Sequence, residues 1–268
     1  MLDSPYIVKP GKKIKLAKIP TDDTGPFKDK EDAAEVTDKN IKKLVKLQGL
    51  LYAESKHALL ICLQAMDAGG KDGAIRYVFS GVNPQGCQVT SFKVPSSTEK
   101  SHDFLWRHHV ACPPRGMIGI FNRSHYESVL VERVEKLTPE KIWSERYDSI
   151  NKFEKLLTEE GTIVLKFYLH ISREEQKKRL QARLEDPDKN WKFSASDVKE
   201  RKKWSDYEAA FEDAISRCST DYAPWVVVPA DRKWFRNWVI SDLIVRTLEK
   251  LDMKYPKAPD GIGKMKVE

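Results

Sequence analysis

Ile61-Cys62-Leu63-Gln64-Ala65-Met66-Asp67-Ala68-Gly69-Gly70-Lys71-Asp72-Gly73 is the stretch on which the reading of the whole chain turns. An apolar run, Ala58 to Leu63, breaks into three glycines around one lysine, and a helix-compatible segment follows. That order suits a phosphate cradle. Backbone N–H groups at a glycine-rich turn and a helix N-terminus point at an anion, and a lysine adds a point charge. The usual pattern is G-x-x-x-x-G-K-[ST]. Here Ala65 stands for the first glycine and Asp72 for the final hydroxyl residue. The missing hydroxyl ordinarily holds Mg²⁺, and Asp67 offers a hard carboxylate oxygen in its place. An ordinary strand–turn–helix accounts for Gly-Gly-Lys equally well, so the rest of the chain has to decide.

At 268 residues the chain is long enough for one large domain, or one domain with an appendage. No apolar run approaches the roughly 20 residues of a membrane span, and Met1-Leu2-Asp3-Ser4-Pro5 does not resemble a signal peptide. Cys62, Cys87, Cys112 and Cys218 are widely spaced without a C-x-x-C pair, which predicts free thiols and a cytoplasmic protein. The net charge of +7 favours anionic partners: nucleic acid, anionic lipid or phosphorylated substrates. A solvated basic surface is the commoner cause of such a surplus.

Residues 1–30 lack periodicity and read as an extended arm. Ile41, Leu44, Leu47 and Leu51 then recur at helical spacing within a helix over about 31–55. A repeating alternation follows. Strands are predicted over His57–Gln64, Cys87–Val94, Gly116–Phe121, Thr162–Ile171 and Trp225–Pro229. Helices are predicted over 71–80, 96–110, from Pro139 to Gly161, from Arg173 to Glu185, over 196–216 and over 232–251. Ser96 with Glu99, and Ser172 with Glu175, read as capping boxes. Strands alternating with helices predict a parallel sheet covered on both faces, with ligands at the carboxyl ends of its strands. The glycine loop and Asn122-Arg123 both lie at such ends.

Phosphoryl transfer needs charge neutralisation, in-line positioning and a metal. Lys71 and the amides of Ala68, Gly69, Gly70, Asp72 and Gly73 can cradle phosphate oxygens. Arg123 can bridge two phosphates in a way lysine cannot. Asn122 stands where nucleoside-kinase-like folds carry a carboxylate, and Glu127 can restore it. Ser124-x-x-Glu127 also reads as a capping box, so two roles stay open for Glu127. Arg179 and Arg183, four apart, share a helix face, and Lys177, Lys178, Lys189, Lys192 and Lys199 crowd the same region. Inserted between the fourth and fifth strands, this is where a nucleotide-kinase-like fold carries a lid that excludes water. Each lysine singly is better explained as solvated surface. Arg107 is a further candidate phosphate contact. His125 is a poor candidate for a general base, since a phosphate acceptor is already deprotonated, and His108-His109 lack partners at zinc-ligand spacing.

With these groups in chain order, the sequence resembles the polyphosphate kinase 2 family from roughly Ile41 to Leu251. Gln64 to Gly73 matches the family's loop, and Phe121-Asn122-Arg123-Ser124-His125-Tyr126-Glu127 looks like its second motif. Asn190-Trp191-Lys192-Phe193 and Tyr222-Ala223-Pro224-Trp225 also resemble it. The resemblance implies a three-layer α/β/α P-loop kinase fold with a five-stranded parallel sheet and a helical lid at about 173–216. It places an arm over 1–40, the kinase domain over 41–255 and a tail over 256–268. It implies transfer of the terminal phosphate of inorganic polyphosphate to nucleotides with Mg²⁺, for which Mn²⁺ can substitute. The Asn-Arg-Ser-His-Tyr-Glu variant looks like the subgroup that phosphorylates both AMP and ADP, giving ADP and ATP.

Carried over by position, Asp67 resembles the metal-binding aspartate and Lys71 the loop lysine. Arg123, Arg179 and Arg183 resemble phosphate-binding arginines. Many members have Asp at the position of Asn122, which leaves open whether Asn122 or Glu127 completes the metal site. Lys192 and Arg107 are further candidate phosphate or nucleotide contacts. Similar proteins assemble as dimers or tetramers, so a homo-oligomer is expected, without nucleic-acid or membrane partners. The rival readings are an ATP-dependent nucleotide kinase of the same fold and a nucleic-acid-binding protein using the basic helices, although no readout module is evident.

Overall fold

The computed structural model describes residues 3–260 and 262, with the side chains of 192 and 195–197 outside the described residues. The first long element is α1 (Lys30–Glu54), opened by Asp29, whose carboxylate accepts from the Asp32 amide, and closed by Ser55 in the left-handed region. It runs unbroken through residue 40, where the arm had been expected to end. Then follow β1 (Ala58–Ala65), α2 (Lys71–Val78), β2 (Cys87–Ser91), α3 (Ser97–Lys100), α4 (Trp106–Val110) and β3 (Ile118–Asn122). The second half comprises α5 (Val131–Val134), α6 (Glu140–Trp143), α7 (Arg146–Glu159), β4 (Thr162–His170), α8 (Arg173–Glu185), α9 (Ala195–Lys202), α10 (Trp204–Cys218), β5 (Trp225–Pro229) and α11 (Lys233–Glu249).

All five strands are parallel, in the order β2-β3-β1-β4-β5. β1 is central and buried on both faces, which is why it reads as an uninterrupted apolar run. Its side chains alternate. Leu59, Ile61 and Leu63 join one cluster with Leu44 and Leu51 of α1 and with Ile240 and Leu243 of α11. Leu60 and Cys62 join another with Phe153 and Leu157 of α7. The sheet is therefore covered on both faces, as expected.

The N-terminal segment lies along the far edge of the sheet. Ile7 bridges Val226 in antiparallel fashion, Leu16 is fully buried, and the carbonyls of Leu16 and Ile19 both lie at hydrogen-bond distance from Nε2 of His170.

Three helices expected from the sequence are each two shorter ones. The segment 96–110 divides into α3 and α4 because the Asp103 carboxylate accepts from the Leu105 amide, competing with the helical ladder. The segment from Pro139 to Gly161 divides at Ser144-Glu145, and 196–216 divides at Lys203, whose ammonium pairs with Glu135. Ser96 and Glu99 form the expected reciprocal capping box. Ser172 caps α8 through the Glu175 amide, but the Glu175 carboxylate turns to Arg179 instead of returning to the Ser172 amide. That amide donates to Asp231.

Candidate active site

The glycine loop leaves β1 and Asn122-Arg123 leaves β3, and the two strands are neighbours with Leu63 opposite Asn122. The sheet order alone thus brings the two motifs together at the carboxyl edge. Buried Gln64 links them further, donating from Nε2 to Ser124 Oγ at 3.1 Å. Two glycines in the loop are required by shape. A Cβ at Gly69 would lie 2.4 Å from the Ala65 Cβ, and Gly70 has φ of +98°. Of the five non-glycine residues with left-handed backbone among the described residues, two lie at this edge: Ala68 (φ 58°) and Arg123 (φ 63°). Such positions cost on the order of 1–3 kcal/mol each and cluster at functional sites.

Asp67, Arg123 and Glu127 form one charged group. Arg123 Nη2 lies 3.3 Å from Asp67 Oδ1, and Nη1 lies 3.5 Å from Glu127 Oε2. The capping role open to Glu127 is therefore not the one adopted: its carboxylate faces Arg123, while Ser124 Oγ accepts from the Tyr126 amide. Lys71 follows the loop at the start of α2, with Nζ 3.4 Å from the Ala65 carbonyl. Burial, and then the charge of Arg123, pull its pKa below the ordinary lysine value. Asp72 accepts from Asn122 Nδ2 at 2.8 Å, which ties α2 to the end of β3.

A cavity of about 720 Å³ is lined by the loop from Asp67 to Gly73 together with Lys93, Asn122, Arg123, Arg183 and Lys189. It opens on the strand ends and is dominated by cations. A second cavity, about 350 Å³, shares Asp67 and Arg123 with the first and continues past Glu127 to Leu130, Trp204 and Tyr207. One cavity is basic and the other is apolar and acidic, with Asp67 and Arg123 on the boundary.

Arg179 and Arg183, expected together as phosphate contacts, separate in role. All five N–H groups of Arg179 are engaged by the protein: Nε with Glu175, Nη1 with the Ala68 and Gly69 carbonyls, and Nη2 with the Ala230 and Asp231 carbonyls. The phosphate contact expected of Arg179 is replaced here by bracing of the loop, because its helix packs directly against the loop carbonyls. Arg183, one turn on, lines the basic cavity. Gln176 joins the bracing, donating to the Asp67 carbonyl at 2.9 Å.

Arg107 is not brought to the loop. It donates to the Lys93 carbonyl at 2.9 Å, lies over the Phe92 ring and lines a separate cavity of about 200 Å³. The Lys192 side chain lies outside the described residues. His125 is fully buried, 3.0 Å from Glu154, and does not face the site. Among the described residues no group of three or more His, Cys, Asp or Glu could hold a metal by itself. Asp67 and Glu127 converge on one guanidinium, a pair of hard oxygen donors beside the basic cavity. That suits a cation completed by substrate oxygens better than an all-protein cage.

Lys93, Gln176, Trp204, Tyr207 and Arg236 escaped the sequence reading. Lys93 had a signal, since it follows β2 at the carboxyl edge.

The model of the family described as polyphosphate kinase 2 matches residues 27–256. This chain belongs to the polyphosphate kinase 2 family. It is 50% identical to the AMP/ADP-polyphosphate phosphotransferase of Meiothermus ruber, over 98% of this chain and 99% of that one. It is 47% identical to the ADP-polyphosphate phosphotransferase of Rhodopseudomonas palustris, over 94% and 91% respectively. The crystal structure of polyphosphate kinase 2 from Arthrobacter aurescens superposes with a TM-score of 0.92 at 41% identity, covering 96% of this chain and 92% of that one. The expected family and P-loop kinase fold are both borne out. No helix among the described residues is long and apolar enough to cross a membrane.

Proposed function

We propose that the protein transfers the terminal phosphate of inorganic polyphosphate to AMP and to ADP, giving ADP and ATP, in a reversible metal-dependent reaction. The observation that carries this reading is the pair of cavities meeting at Asp67 and Arg123. The cation-lined cavity suits a polyanion with no nucleoside to recognise. The adjoining apolar and acidic cavity suits a base and ribose, and repels phosphates, so the acceptor enters with its phosphate toward Arg123. The relatives' names, AMP/ADP- and ADP-polyphosphate phosphotransferase, support the same substrates.

In the forward direction an oxygen of the acceptor's terminal phosphate attacks the end phosphorus of the polyphosphate in line. The new O–P bond forms as the bridging O–P bond breaks, and the shortened polyphosphate leaves with the electron pair. Lys71, Arg123 and Arg183 face the spreading negative charge, and the braced loop presents its amides without reorganising. Asp67 and Glu127 would hold Mg²⁺, which when bound supplies charge neutralisation at the phosphate oxygens. One phosphoanhydride replaces another, so the equilibrium lies near balance and both directions are accessible.

The test is incubation with Mg²⁺, AMP and polyphosphate in the absence of ATP, with nucleotides resolved by chromatography. ADP and then ATP are expected. Product only when ATP replaces polyphosphate as donor would identify an ATP-dependent nucleotide kinase instead.

A further inference from the structure

Buried charge ordinarily comes with an opposite charge within reach. Arg236 does not follow that rule among the described residues. It sits on α11 with 2% of its surface exposed. Nη1 donates to the Gly70 carbonyl at 3.1 Å, while Nε and Nη2 both donate to Oδ1 of Asn237, at 3.1 and 2.7 Å. These acceptors are neutral dipoles. Arg179, beside it, has the Glu175 carboxylate at 2.8 Å. Burial, and then the charge of Arg179, pull the Arg236 pKa down to about 10. A Cβ at Gly70 would lie 2.2 Å from Arg236 Nη1, so the guanidinium presses directly on the loop. It lines a cavity of about 560 Å³ with Arg76, Arg179, Arg183 and Lys233 on the outer side of that loop.

A trans peptide is planar, so fixing its carbonyl fixes the next N–H in the opposite direction. Arg179 holds the Gly69 carbonyl, which turns the Gly70 N–H away from it. The Gly70 carbonyl accepts from Arg236 at 3.1 Å and from the Ala74 amide of α2 at 3.0 Å, which turns the Lys71 N–H away from both. The guanidiniums, with that first helical bond, therefore fix the direction of two consecutive amides. We propose that Arg236 is a positioning residue of the glycine loop and that its missing counter-ion is the substrate's phosphate chain. With the α2 bond from Ala74 it holds the Gly70 peptide from behind, and its charge is compensated, across that peptide, only when phosphates occupy the loop. The proposal rests on the reading above that this loop takes a phosphate chain.

The experiment compares wild type, Arg236→Met and Arg236→Lys by thermal unfolding with and without inorganic tripolyphosphate, and by steady-state kinetics. Without ligand, Arg236→Met is expected to melt at or above the wild-type temperature, because an uncompensated buried charge is gone. Tripolyphosphate should raise the wild-type Tm and raise that of Arg236→Met by less than half as much. KM for polyphosphate should rise on the order of tenfold in Arg236→Met, with KM for AMP unchanged. Arg236→Lys, which keeps the charge without the fork, should fall between.

A Met variant that melts well below wild type, yet shows the full tripolyphosphate shift and the wild-type KM, would reduce Arg236 to packing and overturn the proposal. Should that variant not fold, Arg236→Lys decides, and wild-type KM and Tm shift there overturn it as well. A wild type that tripolyphosphate leaves unshifted would instead defeat the phosphate-chain reading of the loop, and this proposal with it.

Discussion

Lys71 and Asp67 stand on opposite sides of the glycine pair, and their removal should affect chemistry before it affects folding. Neither is part of the apolar core. Lys71→Ala and Asp67→Ala are each expected to lower turnover by roughly 10²- to 10³-fold, the scale of losing one preorganised charge contact. Circular dichroism and urea unfolding should stay near wild type. Arg179→Ala leaves four loop and β5-end carbonyls without their donor, so it should lower stability as well as activity. Urea unfolding of that variant checks this.

The lowered pKa of Lys71 also sets a pH dependence. In the proposed function its charged form binds phosphate; its folded-state pKa lies below the ordinary 10.5, so the charge is lost as pH rises through that lowered value. KM for polyphosphate should climb on the alkaline side earlier than a free lysine would allow, and Lys71→Arg should remove the limb. Asp67, Lys71, Arg123 and Glu127 were legible in the sequence because each lies within a few residues of a strand end. Arg236 was not. It belongs to a helix whose other inward residues are mostly apolar, far along the chain from Gly70, and only packing of α11 against the loop brings the two together.

Behind the site, β4 and α7 hold the Asn122–Glu127 segment through a buried network. Lys166 Nζ reaches Glu154 at 2.5 Å, the Tyr126 hydroxyl at 2.9 Å and the Cys218 carbonyl at 2.6 Å, and both charged side chains are fully buried. Burial alone would raise the Glu154 pKa, but the charge of Lys166 and the hydrogen bond from His125 outweigh it, and the pKa falls below 4.5. A depressed folded-state pKa means that the Glu154 contribution is present above the unfolded value and is lost as pH falls through the folded one. Glu154→Gln leaves Lys166 charged and unpaired in the interior. It should cost about 3–5 kcal/mol in urea unfolding near neutral pH. A cost under about 1 kcal/mol, an ordinary hydrogen bond, would mean that the pair is not held as described.

Apolar runs and spacing located α1, β1, β4 and α11, and the capping Ser172 with the Asp186-Pro187 break located α8. Three helices were over-extended, because neither signal shows a break inside the segment. Asp103 accepting from the Leu105 amide competes with the helical ladder without changing the apolar pattern.

At the scale of the whole molecule, the sheet order decides where chemistry happens. β1 lies between β3 and β4, so the glycine loop and Asn122-Arg123 emerge side by side, and α8 descends on them from the carboxyl end of β4. That layout leaves a basic cavity and an apolar, acidic one joined at Asp67 and Arg123, which the proposed function assigns to donor and acceptor. The most direct test follows ³²P from the terminal position of labelled polyphosphate into nucleotide, with AMP and Mg²⁺ present and ATP absent. Label should appear in the β-phosphate of ADP, one per chain end consumed, with none retained on the protein and with transfer slowed by roughly 10²- to 10³-fold in Lys71→Ala. Label held covalently by the protein, or transfer that proceeds at the wild-type rate in folded Lys71→Ala, would contradict direct transfer at the glycine loop.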